Sequence, residues 1–333
     1  MYQYHFKSFF KKTCEKFNQK VALIDTDEKK YTYNYLNKKS DIVASNLERF
    51  KGKTNTIAID SIKNVNTIIM FLGCLKIGFT YFFLDLNQPK KRIQLILKKT
   101  KCKLIITEKK THNLKVNSIS PKNLMRGKQN KTSNYTSDNS AYIMFTSGST
   151  GEPKGAIINH QSIINFVNWS KNSFEICDKD IFSQLNPLYF DNSVFDLYNS
   201  LLHGCTLVLT NGLDIKKPVH LLKRLKKNKC TIWFSTPSLL IYYLNFGLIN
   251  KANFLHFKKI IFGGEGFPKP KLINLINKMG NKKYYNVYGP TECTCICSSH
   301  LITSRDLKKD KEKYVTLGNI AENFNYEIDS KNK

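Results

Sequence analysis

The sequence predicts an α/β protein in which layered, mostly parallel sheets are covered by helices. Short runs rich in β-branched and aromatic residues alternate with amphipathic stretches along the chain. Glycine-rich turns follow directly on several of these runs, as ligand loops do at the carboxyl ends of parallel strands. A length of 333 residues with 41% hydrophobic content is enough for a buried core.

The expected strands cover residues 56–60, 81–84, 103–107, 141–145, 206–210, 231–234 and 259–262. Helical spacing of apolar residues marks 35–47, 91–98, 160–168 and 220–227 between them. Residues 67–84 form the most apolar stretch. Lys76 interrupts it and Gly78 divides it, so a buried helix followed by a buried strand is expected rather than a membrane span. The polar stretch 109–140 reads as a surface connection between two halves.

The formal net charge is +28, and lysine carries nearly all of it: arginine occurs only at Arg49, Arg92, Arg126, Arg224 and Arg305. Nucleic-acid grooves draw on arginine for bidentate and stacking contacts, so this even spread of lysine argues against a nucleic-acid partner. It favours anionic partners such as ATP or an acidic carrier protein. Nine cysteines without a C-x-x-C pair, and no signal-peptide-length apolar stretch at the N-terminus, suggest a reducing cytoplasm. Cys293, Cys295 and Cys297 alternate. On a strand they would share one face, which favours a small apolar lining over a metal site.

Residues 142–155 run from an apolar strand into a loop rich in glycine and hydroxyl groups and closed by a lysine. Gly148, Gly151 and Gly155 permit tight turns and bring backbone N–H groups toward an anion. Thr146, Ser147, Ser149 and Thr150 add hydroxyl donors, and Lys154 adds a point charge. The loop suggests a nucleoside triphosphate. It differs from the common P-loop because Lys154 is followed by Gly155, where that motif places a metal-binding Ser or Thr.

The complete string resembles the phosphate-loop signature of the adenylate-forming, AMP-binding superfamily, which includes amino-acid adenylation domains, acyl-CoA synthetases and luciferases. Further motifs extend the likeness over essentially the whole chain. Tyr31 to Asn37 resembles the family's entry motif, and Leu75 to Asp85 with Pro89 and Arg92 its second motif. The turn Gly263, Gly264, Glu265, Gly266 resembles the one that flanks the adenine ring, although by itself it reads equally well as a turn without a ligand. Asn286 to Glu292 matches the adenine and magnesium motif. That match implies Asn286 and Tyr288, with Val287 and Gly289 between and after them, at the base, Thr291 at the α-phosphate and Glu292 at Mg²⁺. Thr291 and Glu292 are thereby the candidate catalytic residues.

Phe190 to Ser193 resembles the Phe-Asp-x-Ser motif whose aspartate meets the substrate α-ammonium group, so Asp191 points to an amino acid. An N-cap or a solvated loop carboxylate is its alternative reading. Alignment of the motifs implies a substrate pocket of Asp191, Asn192, Phe195, Phe234, Ile261, Gly263, Val287 and Cys295. Its mostly apolar character suits an uncharged amino-acid side chain of small to medium size. His160 reads as a structural histidine at a strand end rather than a base.

The likeness is closest to nonribosomal peptide synthetase adenylation domains and D-alanine–carrier-protein ligases. It implies a large N-terminal adenylation core over residues 1–333, with ATP, Mg²⁺ and an amino acid as ligands and a carrier-protein thiol as acceptor. Family members continue into a ribose-binding Thr-Gly-Asp motif and a small C-terminal domain with a catalytic lysine. Here the Gly318-Asn319-Ile320 stretch is followed by neither, and Lys331 and Lys333 lack the required context. A separately encoded C-terminal domain is therefore an expected partner, and a nucleotide-binding remnant or an acyl-CoA synthetase-like ligase is the alternative.

Overall fold

The computed structural model describes residues 5–130, 132–146, 152–308, 313–322 and 324–327. The chain begins with α1 (Phe6–Lys16), the paired strands β1 (Val21–Ile24) and β2 (Lys30–Thr32), and α2 (Tyr33–Leu47), which Thr32 caps. Strands and helices then alternate: β3 (Thr56–Asp60), α3 (Val65–Lys76), β4 (Thr80–Leu84), α4 (Lys90–Lys99) and β5 (Leu104–Ile106). The apolar stretch 67–84 thus divides between α3 and β4. Asn64 caps α3 by accepting from Thr67 N at 2.9 Å. Lys76 at its end is buried but bonds Asp41 at 2.8 Å and the Asn37 side chain at 2.7 Å, the pairing a buried charge requires.

The polar stretch 109–140 is more than a connection. It supplies β6 (Asn117–Ile119), parallel to β5, and the short α5 (Pro121–Leu124) before the chain enters β7 (Ser140–Thr146). β7 pairs antiparallel with β8 (Lys154–Asn159), so the candidate phosphate loop joins two partners of a hairpin. Among the described residues the first sheet has the order β6-β5-β3-β4-β7-β8, parallel throughout except for β8.

After α6 (His160–Ser173) the chain builds the second sheet with β9 (Ile181–Gln184), α7 (Asn192–Leu202), β10 (Thr206–Leu209), α8 (Gly212–Lys216), α9 (Pro218–Lys227), β11 (Ile232–Ser235), α10 (Pro237–Asn245), β12 (Lys259–Gly263), α11 (Lys269–Met279) and β13 (Lys283–Tyr288). Antiparallel β14 (Ser298–Leu301) and β15 (Asn319–Ile320) extend one edge, giving the order β15-β14-β13-β12-β11-β9-β10-β1-β2. One apolar core fills the space between the sheets, with α2, α3, α6 and α7 contributing to it. Two smaller cores lie on the outer faces, under α9 to α11 and under α4. The result is helix, sheet, helix, sheet, helix in five layers.

Candidate active site

The carboxyl ends of β9, β11, β12 and β13 converge on one region, where a parallel sheet presents its loops. Their register decides which side chains meet. Phe234 lies opposite Ile261, and Gly263 opposite Val287. Because side chains alternate along a strand, Phe234, Ile261, Gly263 and Val287 share one face, while Trp233, Ile260 and Phe262 turn to the other. α7 crosses the first face, and Phe195 meets the Phe234 ring edge-on at 5.0 Å. Gly263 is required here because a Cβ would lie 2.5 Å from the Val287 carbonyl oxygen. Cys295 completes the group from the loop after β13, buried like the others. Burial, reinforced by Asp191 and Asp196 nearby, pushes its thiol pKa well up, so it packs among these residues as a small apolar group.

The alternating cysteines do not lie on a strand. Thr291–Cys293 forms a single 3₁₀ turn, and Thr294 and Cys295 adopt φ of 60° and 81°, left-handed backbone that interrupts alternation. The loop closes where Cys297 N donates to the Tyr288 carbonyl at 2.9 Å.

Asp191 occupies the N-cap position of α7 without capping it through its side chain, and neighbouring Asn192 begins the helix. Instead its Oδ2 accepts a hydrogen bond of 2.5 Å from Thr291 Oγ1. Burial raises the Asp191 pKa, and the repulsion of Glu292 adds to this, while the Thr291 bond acts in the other direction. No lysine or arginine among the described residues forms an ion pair with Asp191. The half-buried carboxylate is suited to receive a cation.

At the candidate nucleotide site, alternation along β13 places Asn286 and Tyr288 on the face opposite Val287. The Tyr288 ring is 47% exposed, open to stacking. Asn286 is buried and donates to the Val315 and Thr316 carbonyls at 3.4 and 2.9 Å, so its amide hydrogens tie down the 315–316 segment. Gly264 has φ of 85°, and only Thr236 Cγ2 comes within 4 Å of a Cβ placed there. The turn therefore leaves open space, while Glu265 accepts from Ser238 N at 3.2 Å. Gly289 packs so closely on the Cys295 carbonyl that a Cβ would lie 2.4 Å away. Glu292 is exposed beside buried Thr291. An open ring, an open turn, a hydroxyl and a carboxylate fit a nucleotide with its metal ion.

Thr146 and Lys154 face each other at the ends of β7 and β8. Lys99 on α4 holds the returning arm through Glu152 at 2.8 Å and the Pro153 carbonyl at 3.1 Å. Ser147, Gly148, Ser149, Thr150 and Gly151 lie outside the described residues.

Two features had no counterpart in the sequence reading. Tyr142 on β7 is buried with no partner for its hydroxyl among the described residues, within electrostatic range of Cys295 and Asp191. A cavity of about 210 Å³ beside Glu292 is lined by Ser162, Asn165, Phe166 and Trp169 of α6 and by Ile296. Their helical spacing marks one face of α6, but nothing in the sequence places that face at the site. His160 opens α6, fully enclosed, with its ring tilted against Tyr135 at 4.7 Å and neither ring nitrogen hydrogen-bonded among the described residues.

The chain belongs to the AMP-binding enzyme family, whose pattern matches residues 10–332. Bacitracin synthase 1 of Bacillus licheniformis is 32% identical over 299 residues, covering 88% of this chain and 6% of that protein. The D-alanine–D-alanyl carrier protein ligase of Bacillus cytotoxicus is 31% identical over 284 residues, covering 82% of this chain and 56% of that one. This chain thus spans little more than half of that ligase. The N-terminal subdomain of Klebsiella oxytoca NpsA, solved with 3-hydroxybenzoyl-AMSN, superposes with a TM-score of 0.84 at 21% identity over 96% of this chain and 81% of that one. The nonribosomal peptide synthetase FmoA3 in its AMPPNP-bound form gives 0.85 at 18% identity over 95% and 34%. At these identities the likeness is one of fold. Among the described residues no helix is long and apolar enough to cross a membrane.

Proposed function

We propose that the chain forms the substrate-binding core of a ligase that activates an amino-acid carboxylate with ATP, as an aminoacyl-adenylate destined for a carrier-protein thiol. The observation that carries this reading is the Asp191 carboxylate, near buried Cys295 of the apolar floor and hydrogen-bonded to Thr291. One group suits an ammonium, the floor an uncharged side chain, and the hydroxyl a phosphate. The carrier protein ligase among the named relatives supports the acceptor.

In the reaction, a carboxylate oxygen of the substrate bonds to the α-phosphorus of ATP while the bond from that phosphorus to the pyrophosphate oxygen breaks. Catalysis of this kind rests on positioning and charge neutralisation. Asp191 accepts from the α-ammonium group and fixes the carboxylate's position. Phe195, Phe234, Ile261 and Val287 exclude water around the side chain. Thr291 donates to an α-phosphate oxygen, Tyr288 stacks on the base, and the segment Thr146 to Lys154 receives the pyrophosphate. Glu292 would hold Mg²⁺, which supplies charge neutralisation on the phosphates.

The test is ATP–pyrophosphate exchange over a panel of amino acids, run with the chain alone and with an added C-terminal fragment carrying a Thr-Gly-Asp motif and a terminal lysine. Exchange with one or a few uncharged amino acids, abolished by Asp191→Ala, is expected. Nucleotide binding without exchange under either condition would leave a binding module in its place. Turnover of acids lacking an amino group, indifferent to Asp191→Ala, would make the chain an acyl-CoA synthetase-like ligase.

A further inference from the structure

Two residues assigned to different substrates are bonded to each other. Thr291, in the turn after β13, donates to Asp191, at the start of α7 and 100 residues away in the chain, at 2.5 Å. That is the short end of the range for a hydroxyl on a carboxylate. Thr291 has a single proton, so it can donate to Asp191 or to a phosphate oxygen but not to both.

A nucleotide arriving alone would have to take that proton from Asp191. It would leave a half-buried carboxylate unpaired, with Glu292 already near it and the incoming phosphate adding a further negative charge. An α-ammonium group changes the balance. It brings three donors and a full positive charge to Asp191, and the hydroxyl is released for the phosphate. Resting on the amino-acid reading above, we infer that the Asp191–Thr291 hydrogen bond is a latch that couples the two substrates, so that the amino acid strengthens nucleotide binding by freeing Thr291. Linkage makes the effect mutual: the nucleotide strengthens amino-acid binding by the same factor.

Calorimetric titration of the full chain with AMP tests this, because AMP keeps the α-phosphate and has no leaving group. Titrations are run alone and with each of a panel of uncharged amino acids, D-alanine included, and amino-acid binding is measured in its own right. The wild type should bind AMP about 5- to 150-fold more tightly when a cognate amino acid is present, the usual span of coupling between sites. Asp191→Ala should bind AMP without amino acid at least as tightly as the unassisted wild type, and lose the response to amino acid. Thr291→Val should keep amino-acid binding and lose the coupling.

An amino acid that binds while leaving wild-type AMP affinity unchanged overturns the latch but not the proposed function. If no amino acid binds, the proposed function fails. The latch, which is a coupling to the amino acid, falls with it; where an amino acid does bind, weaker AMP binding by Asp191→Ala with a lowered unfolding temperature marks the bond as a structural tie and overturns the latch alone. A purely structural bond would move stability without moving the coupling.

Discussion

His160 gives the structure a measurable sensitivity to acid. The ring is enclosed at the start of α6, tilted against Tyr135, which in turn lies 5.1 Å from His5. Neither ring nitrogen has a hydrogen-bond partner among the described residues. Burial drives the pKa from the ordinary 6.5 down to about 3, with the charge of His5 acting in the same direction. The folded state therefore holds His160 neutral, whereas the unfolded chain protonates it near pH 6.5. Its contribution to stability is complete above pH 6.5 and is lost as the pH falls from there toward 3. At pH 5 the unfolded state has gained about 1.5 pH units of protonation free energy that the folded state has not, which is about 2 kcal/mol.

His160→Phe keeps a ring against Tyr135 and removes the titration. Urea unfolding at pH 7.5 and pH 5 should show wild type losing about 2 kcal/mol more than the variant. Because the quantity is a difference between two pH differences, any fixed packing cost of the larger ring cancels. His203 is also buried, with a pKa lowered to about 4 mainly by burial, so both proteins should weaken in acid. Equal losses in the two, to within about 0.5 kcal/mol, would refute the account of His160.

Gly263→Ala should cost about 1–3 kcal/mol in unfolding experiments, since its methyl would force β13 away from β12. An unaltered unfolding midpoint would mean that the two strands lie farther apart than described. Asp41→Ala should cost about 3 kcal/mol or more by stranding buried Lys76, whereas Asp41→Ala with Lys76→Met should recover most of that loss. The double variant proving no better than the single would show that the charge is not the source of the cost. Tyr288→Ala should weaken AMP binding by about 1–3 kcal/mol, the worth of one base-stacking ring, with little change in stability because the side chain is half exposed. Undiminished AMP affinity would remove Tyr288 from the base site.

The parts of the fold legible in the sequence are those decided locally. The apolar runs at 56–60 and 259–263 are strands because continuous β-branched and aromatic residues suit a sheet buried on both faces. Within the polar run 109–140, β6 gave no strand signal because it pairs on one side only, and an edge strand needs little apolar character. The cysteine alternation misled for a backbone reason. Period two has meaning only on extended chain, and two successive left-handed residues at 294 and 295 end it. The bond between Asp191 and Thr291 was not legible, since it depends on how α7 docks over β13, which neither segment specifies alone.

The separation of the two candidate substrate sites follows from one strand. Within β13, Val287 faces the floor beneath α7, while Asn286 and Tyr288 face the other way, so adjacent residues serve different candidate sites. A slip of one residue in pairing with β12 would exchange the two faces and present Tyr288 to the floor. Five paired positions from Lys259↔Lys283 to Gly263↔Val287 oppose that slip, and the last of them is the one where only glycine fits. Gly263, read from the sequence as the first residue of a turn, thus sits inside the sheet, where its missing side chain fixes the register. The turn proper begins one residue later, at Gly264, where the left-handed backbone and open space are found. Rigid register before the strand end and open backbone after it let one strand present a buried apolar face on one side and leave an aromatic ring free on the other.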